Sequence, residues 1–392
     1  MWRSIASNGL TFFIVLLIAV AAIVAWGRNE FFKPGPLAAP ICLEVERGAS
    51  LSAVSRNLEE RGAITDARIF RIGADYSDRA EALKFGSYMV PASASMAEVL
   101  EAITASGRST CGRDLNLRIG VAKSDVILSE LDLEANSYRE VARFEAGVEP
   151  LPAEYTEIAD DPALVLRITV AEGVTSWQIV DGLKKADFLT GAIETVPPEG
   201  SLAPGGYEVE RGSERGALVV AMTEKQSKIL AEAWEGRSQG LPYDTPQEAL
   251  IMASIIEKET GIAEERGKVA SVFVNRLQQG MRLQTDPTVI YGITKGEGVL
   301  GRGLRQSELR RDTPYNTYVI DGLPPTPIAN PGAEAIKAAM SPETTDYLFF
   351  VADGSGGHVF AETLEEHNKN VARWRAIEAE QKTEGETGVQ GE

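Results

Sequence analysis

The sequence predicts an α+β protein: an N-terminal transmembrane helix, small αβ modules, and a mixed, mainly helical domain that carries a β-hairpin. Three observations predict it. An apolar run from Leu10 to Trp26 sits in a stretch without charge between Arg3 and Arg28. A strand–turn–helix pattern occurs twice, and a capped apolar helix runs from Thr245 to Gly261.

Residues 1–9 form a short tail and 10–26 the transmembrane helix, long enough to span a bilayer with modest tilt. A cleaved signal peptide is the alternative. The run outlasts a typical signal core, however, and ends in Trp26, a residue favoured at the membrane interface. A cytoplasmic tail and an external body make the simpler topology. Residues 27–40, with several prolines, are the linker. In an oxidising compartment, Cys42 and Cys111 allow either a disulfide or two separate buried thiols.

The chain has 392 residues, 44% of them hydrophobic, enough for two or three domains with real cores. Its 39 basic and 57 acidic residues give a net charge of −18, without the basic stripe of a nucleic-acid binder, so nucleic acid is not an expected partner. Residues 251–376 hold 14 basic against 16 acidic residues, so chemistry placed there escapes a strongly negative field. No Cys-x-x-Cys occurs, and His358 and His367 stand nine positions apart without a nearby cysteine, which argues against zinc.

Val45-Glu-Arg-Gly48-Ala-Ser-Leu-Ser-Ala-Val54-Ser-Arg-Asn-Leu58 aligns with Val170-Ala-Glu-Gly173-Val-Thr-Ser-Trp-Gln-Ile179-Val-Asp-Gly-Leu183. Each reads as a strand, a glycine turn, a Ser or Thr cap and an amphipathic helix. Such a repeat means two copies of a small αβ module. The first spans 41–112. The second, with a connecting helix over 217–234, spans 165–244. Between them, 113–164 is acidic and reads as a solvated insertion, while Ser201 to Tyr207 reads as a loop. Residues 377–392 read as a disordered tail.

The domain over 245–376 opens on the capped helix. Thr245 caps it, Pro246 suits its first position, and Glu248 completes a capping box. Gly261 supplies a left-handed stop. Ala249 to Ile256 contains one polar side chain, Ser254, so the helix is buried. Glu257 then shares a face with Leu250, Ala253 and Ser254 in the last turn. An anion there opposes the helix dipole by about 0.3–1 kcal/mol when exposed. Partial burial disfavours the charge further, so Glu257 keeps its proton to higher pH, as a general acid must. Its alternative role is a helix-ending ion pair with Lys258 or a distant cation. Glu259 points about 200° away, toward Met252 and Ile255, where a structural ion pair is expected.

A second helix runs from Ala263 to about Gln279, stopped by Gly280, with Val269, Val272, Phe273 and Leu277 inward. Gln284, Thr285 and Asp286 precede a Pro-started helix that Asp286 can cap. Thr313 to Tyr318 and Gly322 to Gly332 are stiff loops rich in Pro, Tyr, Asn and Thr, suited to stacking on sugars and bonding their hydroxyl and acetamido groups; Asn330-Pro331 opens the next helix. A hairpin turns at Asp353-Gly354, and His367 and Asn368 lie on the helix after it. Gly296-Glu-Gly-Val-Leu-Gly301 fits a dinucleotide fingerprint, but no strand feeds it, so a nucleotide site is rejected.

Ala253-Ser-Ile-Ile-Glu-Lys-Glu-Thr260, Leu283-Gln-Thr-Asp-Pro-Thr-Val-Ile-Tyr291, Tyr315-Asn-Thr-Tyr318, Gly322-Leu-Pro-Pro325, Phe350-Val-Ala-Asp-Gly354 and Glu366-His-Asn368 together resemble the YceG-like (MltG) endolytic murein transglycosylases. The likeness covers nearly everything after the membrane segment and is densest from Thr245 to Val371. Pro204-Gly-Gly-Tyr207 departs from the family's usual Pro-Asp-Thr-Tyr. The resemblance implies an inner-membrane anchor, a LysM-like module and a periplasmic catalytic domain. It also implies peptidoglycan glycan strands as substrate, peptidoglycan synthases as partners, and no cofactor or metal. The implied reaction cuts the MurNAc–GlcNAc bond and leaves a 1,6-anhydro-MurNAc end. Glu257 matches the family's catalytic glutamate, acting first as acid and then as base. Gln284, Thr285, Asp286, Tyr315, Asn316, Thr317, Tyr318 and Asn330 are the expected substrate-binding wall. Two other readings compete: a hydrolytic muramidase with Asp286 as second carboxylate, and a non-catalytic wall-binding or division scaffold.

Overall fold

The structure, a computed structural model, describes residues 2–388 except Arg47, 106–109, Glu134, Asn136 and 162–163. The chain divides into two compact units. The first is residues 1–115, 127–143 and 151–165, and the second is 116–126, 144–150 and 166–392.

Helix α1 (Trp2–Phe32) opens the first unit, and its segment Thr11–Phe32 is long and apolar enough to cross a membrane. The end of α1 is docked: the Phe31 ring lies where a Cβ on Gly73 would stand, 2.2 Å from that position. There follow β1 (Ile41–Val45), α2 (Leu51–Glu60), α3 (Ala67–Tyr76), β2 (Gly86–Val90) and α4 (Met96–Thr104). β1 and β2 pair antiparallel, from Ile41 opposite Val90 to Val45 opposite Gly86. Leu43, Leu58, Phe70, Tyr88 and Ile103 form its fully buried centre. Cys42 and Cys111 are joined as a disulfide, which closes the alternative of two free thiols.

Next come β3 (Arg113–Ile119), β4 (Ser124–Asp132), β5 (Ser137–Glu145) and α5 (Ala153–Thr156), then β6 (Val165–Val170), α6 (Ser176–Lys184) and β7 (Gly205–Val209). The strands lie in the order β5-β4-β3-β6-β7. Two expectations are corrected. The stretch taken for a solvated insertion contains β3, β4 and β5: Leu115, Leu117, Val126, Ile127 and Leu128 are buried and so is Asp125, while Asp132 of β4 and Glu140 and Glu145 of β5 are exposed. The loop after Ser201 becomes strand from Gly205, antiparallel to β6 with Val170 opposite Gly205. The repeated pattern takes the same local form in both places. β1 leads through Gly48 (φ +73°) and the Ser50 cap into α2, and β6 through Gly173 (φ +76°) and the Thr175 cap into α6.

The rest of the second unit is α7 (Arg215–Glu235), α8 (Pro246–Glu259), α9 (Arg266–Gln278), α10 (Asp286–Thr294), α11 (Gln306–Leu309), α12 (Ala333–Met340), the hairpin β8 (Phe349–Ala352) with β9 (His358–Ala361), and α13 (Leu364–Gly388). α8 is its centre: Ala249 to Ile256 are all buried, packed with α9, α12 and the chain before α10. Each large aliphatic side chain so buried stabilises by roughly 1.5–3 kcal/mol. The Thr245–Glu248 capping box is formed in both directions.

Four expectations are corrected. α8 ends on an extended Thr260 (φ −141°), and Gly261 is not left-handed. Asp286 is the first helical residue of α10 and Thr285 its cap, so Asp286 is free of the capping role. α12 is capped by Gly332, the residue after Asn330-Pro331, and its first helical residue is Ala333. α13 continues as helix to Gly388 through most of the tail expected to be disordered; residues 389–392 lie outside the described residues.

Candidate active site

The face of α8 that carries Leu250, Ser254 and Glu257 is covered by the loop before α12. Pro327 packs near Leu250 beside Gly200. Ser254 Oγ donates to Ile251 O (2.7 Å) and accepts from Ile328 N (3.0 Å). Glu257 Oε2 accepts from Gly332 N at 3.0 Å. Helix and loop thus run in step, 254 with 328 and 257 with 332. The turn after β6 completes the surround. Gly173 N donates to Asn330 O (3.0 Å), and Asn330 N returns to Val174 O (2.9 Å). A Cβ on Gly332 would stand 1.8 Å from Glu172 Oε1, so glycine is what lets the Glu172 carboxyl lie over the backbone that holds Glu257.

Glu257 is half-buried. Burial is the main influence raising its pKa above the ordinary carboxylate value. The Gly332 N–H opposes this, the charge of Glu172 adds to it, and Arg266 and Lys258 pull the other way. Arg266 lies 3.9 Å from Glu172 Oε2. Lys258 donates to Gly173 O at 3.2 Å, and burial lowers its pKa against the pull of Glu257 and Glu199. The result is a carboxyl disposed to hold its proton, with a cation and a second carboxylate close by.

Glu259 is largely buried, accepts a hydrogen bond from the Thr285 hydroxyl, and is raised chiefly by that burial. His358 and Arg276 act on it as charges, while Thr285 is its hydrogen-bond partner.

The expected wall residues divide into two groups. Gln284, in a left-handed conformation (φ +50°), and Asp286 are exposed, and Tyr318 Oη donates to Asp286 Oδ1 at 2.7 Å. Tyr315, half-buried, has its hydroxyl 2.8 Å from Thr326 Oγ1 and its ring 5.1 Å from that of Tyr291. Thr285, Asn316, Thr317 and Asn330 are buried, and their polar atoms are used inside the protein. Asn316 Nδ2 donates to the carbonyls of Glu308, Leu309 and Arg311. Thr317 Oγ1 accepts from Thr285 N (3.0 Å) and meets Thr288 Oγ1 (2.9 Å). Asn330 ties Leu202 N, Val174 O, Ser176 Oγ and Glu199 together. These four shape the wall and leave no side-chain atom facing out.

A sequence model described as the YceG-like family matches residues 43–373, most of the chain. The chain belongs to the YceG-like family. This YceG-like chain is 39% identical over 173 residues to the endolytic murein transglycosylase of Bacillus subtilis (strain 168), across 44% of the chain and 47% of that relative. It is 26% identical over 345 residues to the endolytic murein transglycosylase of Streptococcus pneumoniae, across 85% of the chain and 58% of the relative. The chain therefore spans about half the length of the curated relatives it matches. The crystal structure of a yceG-like protein from Listeria monocytogenes is 27% identical, covering 84% of this chain and 98% of that one at a TM-score of 0.44.

Sequence reasoning missed Glu172, Glu199, Tyr291 and Gly332 in this YceG-like chain. Glu172 had one usable signal: the second copy of the repeat carries an acid directly before its turn glycine. Glu199 had none. Its carboxyl is largely buried, accepts from Ser176 N (2.8 Å) and Tyr291 Oη (3.1 Å), and is raised chiefly by burial.

Proposed function

We propose that this chain is a membrane-anchored endolytic lytic transglycosylase that cuts the MurNAc–GlcNAc bond of nascent peptidoglycan strands, leaving 1,6-anhydro-MurNAc ends that terminate elongation. The observation that carries this reading is the half-buried Glu257 carboxyl at the end of the core helix, raised by burial and by Glu172 and held at Oε2 by Gly332 N. Relatives named endolytic murein transglycosylase support the reaction class.

In this reading Glu257 Oε1 carries the proton. It gives that proton to the glycosidic oxygen as the bond to C1 breaks, and the GlcNAc side leaves with a hydroxyl. The carboxylate then takes the proton from the muramyl 6-hydroxyl as that oxygen bonds to C1. Glu257 ends protonated and no water is consumed, so one carboxyl serves both steps. Gln284, Asp286, Tyr315 and Tyr318 contact the glycan, and Thr285, Asn316, Thr317 and Asn330 hold their backbone in place.

The apolar α1 supports an inner-membrane anchor with the N-terminus cytoplasmic and the body periplasmic, where peptidoglycan synthases work. The β1-α2-α3-β2 order supports a LysM-like module at 41–112.

The test is digestion of nascent glycan by the full chain and by Glu257→Gln, read by mass spectrometry. The wild type yields anhydro-muramyl ends. The variant, melting at the wild-type temperature or above, yields none. Cleavage by Glu257→Gln refutes the assignment, and reducing ends without anhydro product would move the reaction to a muramidase with Asp286 as second carboxylate.

A further inference from the structure

In the second unit, an open groove of about 550 Å³ lies between α7, α8 and the segments 198–201 and 325–327. Its floor is apolar, with Leu230 and Leu250, and its rim is polar, with Ser227 of α7 and Gln247 of α8 both exposed. Tyr291 and Tyr315 stand at one end with their rings tilted by 53°. A mixed surface of this kind, aromatic faces beside hydroxyl and amide groups, matches the two faces of a pyranose ring.

Charge narrows the ligand. Among the described lining residues Glu199 is the one carboxylate, and no Lys, Arg or His occurs. Glu199 is already engaged by Ser176 N, Tyr291 Oη and Asn330 Nδ2. Lys295, outside the lining, places its Nζ 5.1 Å from the centroid of the Tyr315 ring; the lining itself offers an anion no cation, which favours an uncharged ligand.

A second observation points to a ligand. Gln226 is 2% exposed, and its Nε2 donates to Gly200 O (3.3 Å) and Pro331 O (3.0 Å). Its Oε1 is buried and has no hydrogen-bond partner among the described residues. A buried acceptor left unpaired costs roughly 1–3 kcal/mol, which a ligand hydroxyl or acetamido N–H removes once the Gln226 side chain turns to meet it.

Position relates the groove to Glu257. Leu250 and Glu257 are seven residues apart on one face of α8, which at 1.5 Å per residue is about 10 Å. The loop that borders the groove at Pro325 to Pro327 continues along α8 to Gly332, the residue that holds Glu257.

We propose that this groove is a subsite for an uncharged N-acetylated sugar ring of the glycan strand, remote from the bond that Glu257 cuts. It rests on the reading of the chain as a glycan-cleaving enzyme, and it adds a measuring role: the subsite selects strands long enough to reach it.

The probe is a ladder of N-acetylglucosamine oligomers, dimer to hexamer, titrated calorimetrically into full-length Glu257→Gln protein in detergent. Ser227→Trp, at an exposed position, fills the groove without altering the core. Tyr315→Ala removes the aromatic face. Affinity should rise with oligomer length; both substitutions should weaken the longest oligomers by about tenfold or more, and Ser227→Trp should leave the dimer unchanged. The inference is overturned if no oligomer binds the parent protein, or if folded Ser227→Trp binds the hexamer as tightly as its parent. Cleavage by Glu257→Gln would reject the catalytic assignment and leave this binding result standing, so the two failures are distinguishable.

Discussion

Replacing Asn330 by Ala removes side-chain bonds to Leu202 N (2.8 Å), Val174 O (3.0 Å), Ser176 Oγ (3.2 Å) and Glu199 Oε1 (3.3 Å) at a residue of 0% exposure. The losses are unequal. Val174 O keeps the Asn330 backbone N–H, and Ser176 Oγ keeps Pro198 O. Leu202, itself fully buried, loses the acceptor of its N–H, and Glu199 loses one donor to a largely buried carboxyl. An unsatisfied buried N–H costs about 1–3 kcal/mol, and each lost hydrogen bond about 0.5–1.5. Together with the small cavity, a loss of roughly 3–5 kcal/mol is expected. For a unit of this size that lowers its melting temperature by roughly 10 °C. Thermal unfolding followed by circular dichroism measures it, with glycan binding measured below the transition. If Asn330 instead touched substrate, the variant would melt with the wild type and bind glycan weakly. That outcome would refute the placement of Asn330 in the framework.

Because Glu172 raises the Glu257 carboxyl pKa, Glu172→Gln moves the alkaline limb of the kcat–pH profile to lower pH, with KM little changed; an unmoved or raised limb contradicts the electrostatic account. The sign for stability runs the same way. A carboxyl whose pKa is raised on folding contributes stability that is fully present below the unfolded value and lost as pH rises through the folded one. Glu257→Gln is therefore expected to melt above the wild type at neutral pH and to match it at acidic pH, checked by scanning calorimetry at both. Gly332→Ala puts a methyl where the Glu172 carboxyl lies, and since Glu172 is 47% exposed, that side chain swings away. The variant should reproduce the Glu172→Gln pH profile with near-wild-type stability, and a wild-type profile from a folded Gly332→Ala protein would count against the crowding.

Much of the fold was readable because its signals are local. The Thr245–Glu248 box, the apolar run behind it and the Asp353-Gly354 hairpin turn each lie within a few residues. The helix stop was misread because Gly261 looks like a left-handed cap, whereas the chain leaves α8 through an extended Thr260. β4 was hidden by the surrounding acidic residues, and β7 by glycines that depress strand propensity. In the site, Asn316 and Asn330 carry the same amide whether it faces solvent or three backbone carbonyls, so sequence could not separate the framework from the exposed wall. Glu172 meets Gly332 across 160 positions, and Glu199 meets Tyr291 across 92, distances at which one sequence holds no pairing signal.

The pairing of the Gly173 turn with Asn330 has a consequence for the timing of chemistry. Glu257 owes its raised pKa chiefly to burial, which exists only once the turn after β6 and the loop before α12, made before and after it, have joined. An unfolded chain carries at that position a glutamate of ordinary proton affinity. The shifted carboxyl therefore arrives together with the finished fold, and an unfolded copy lacks it.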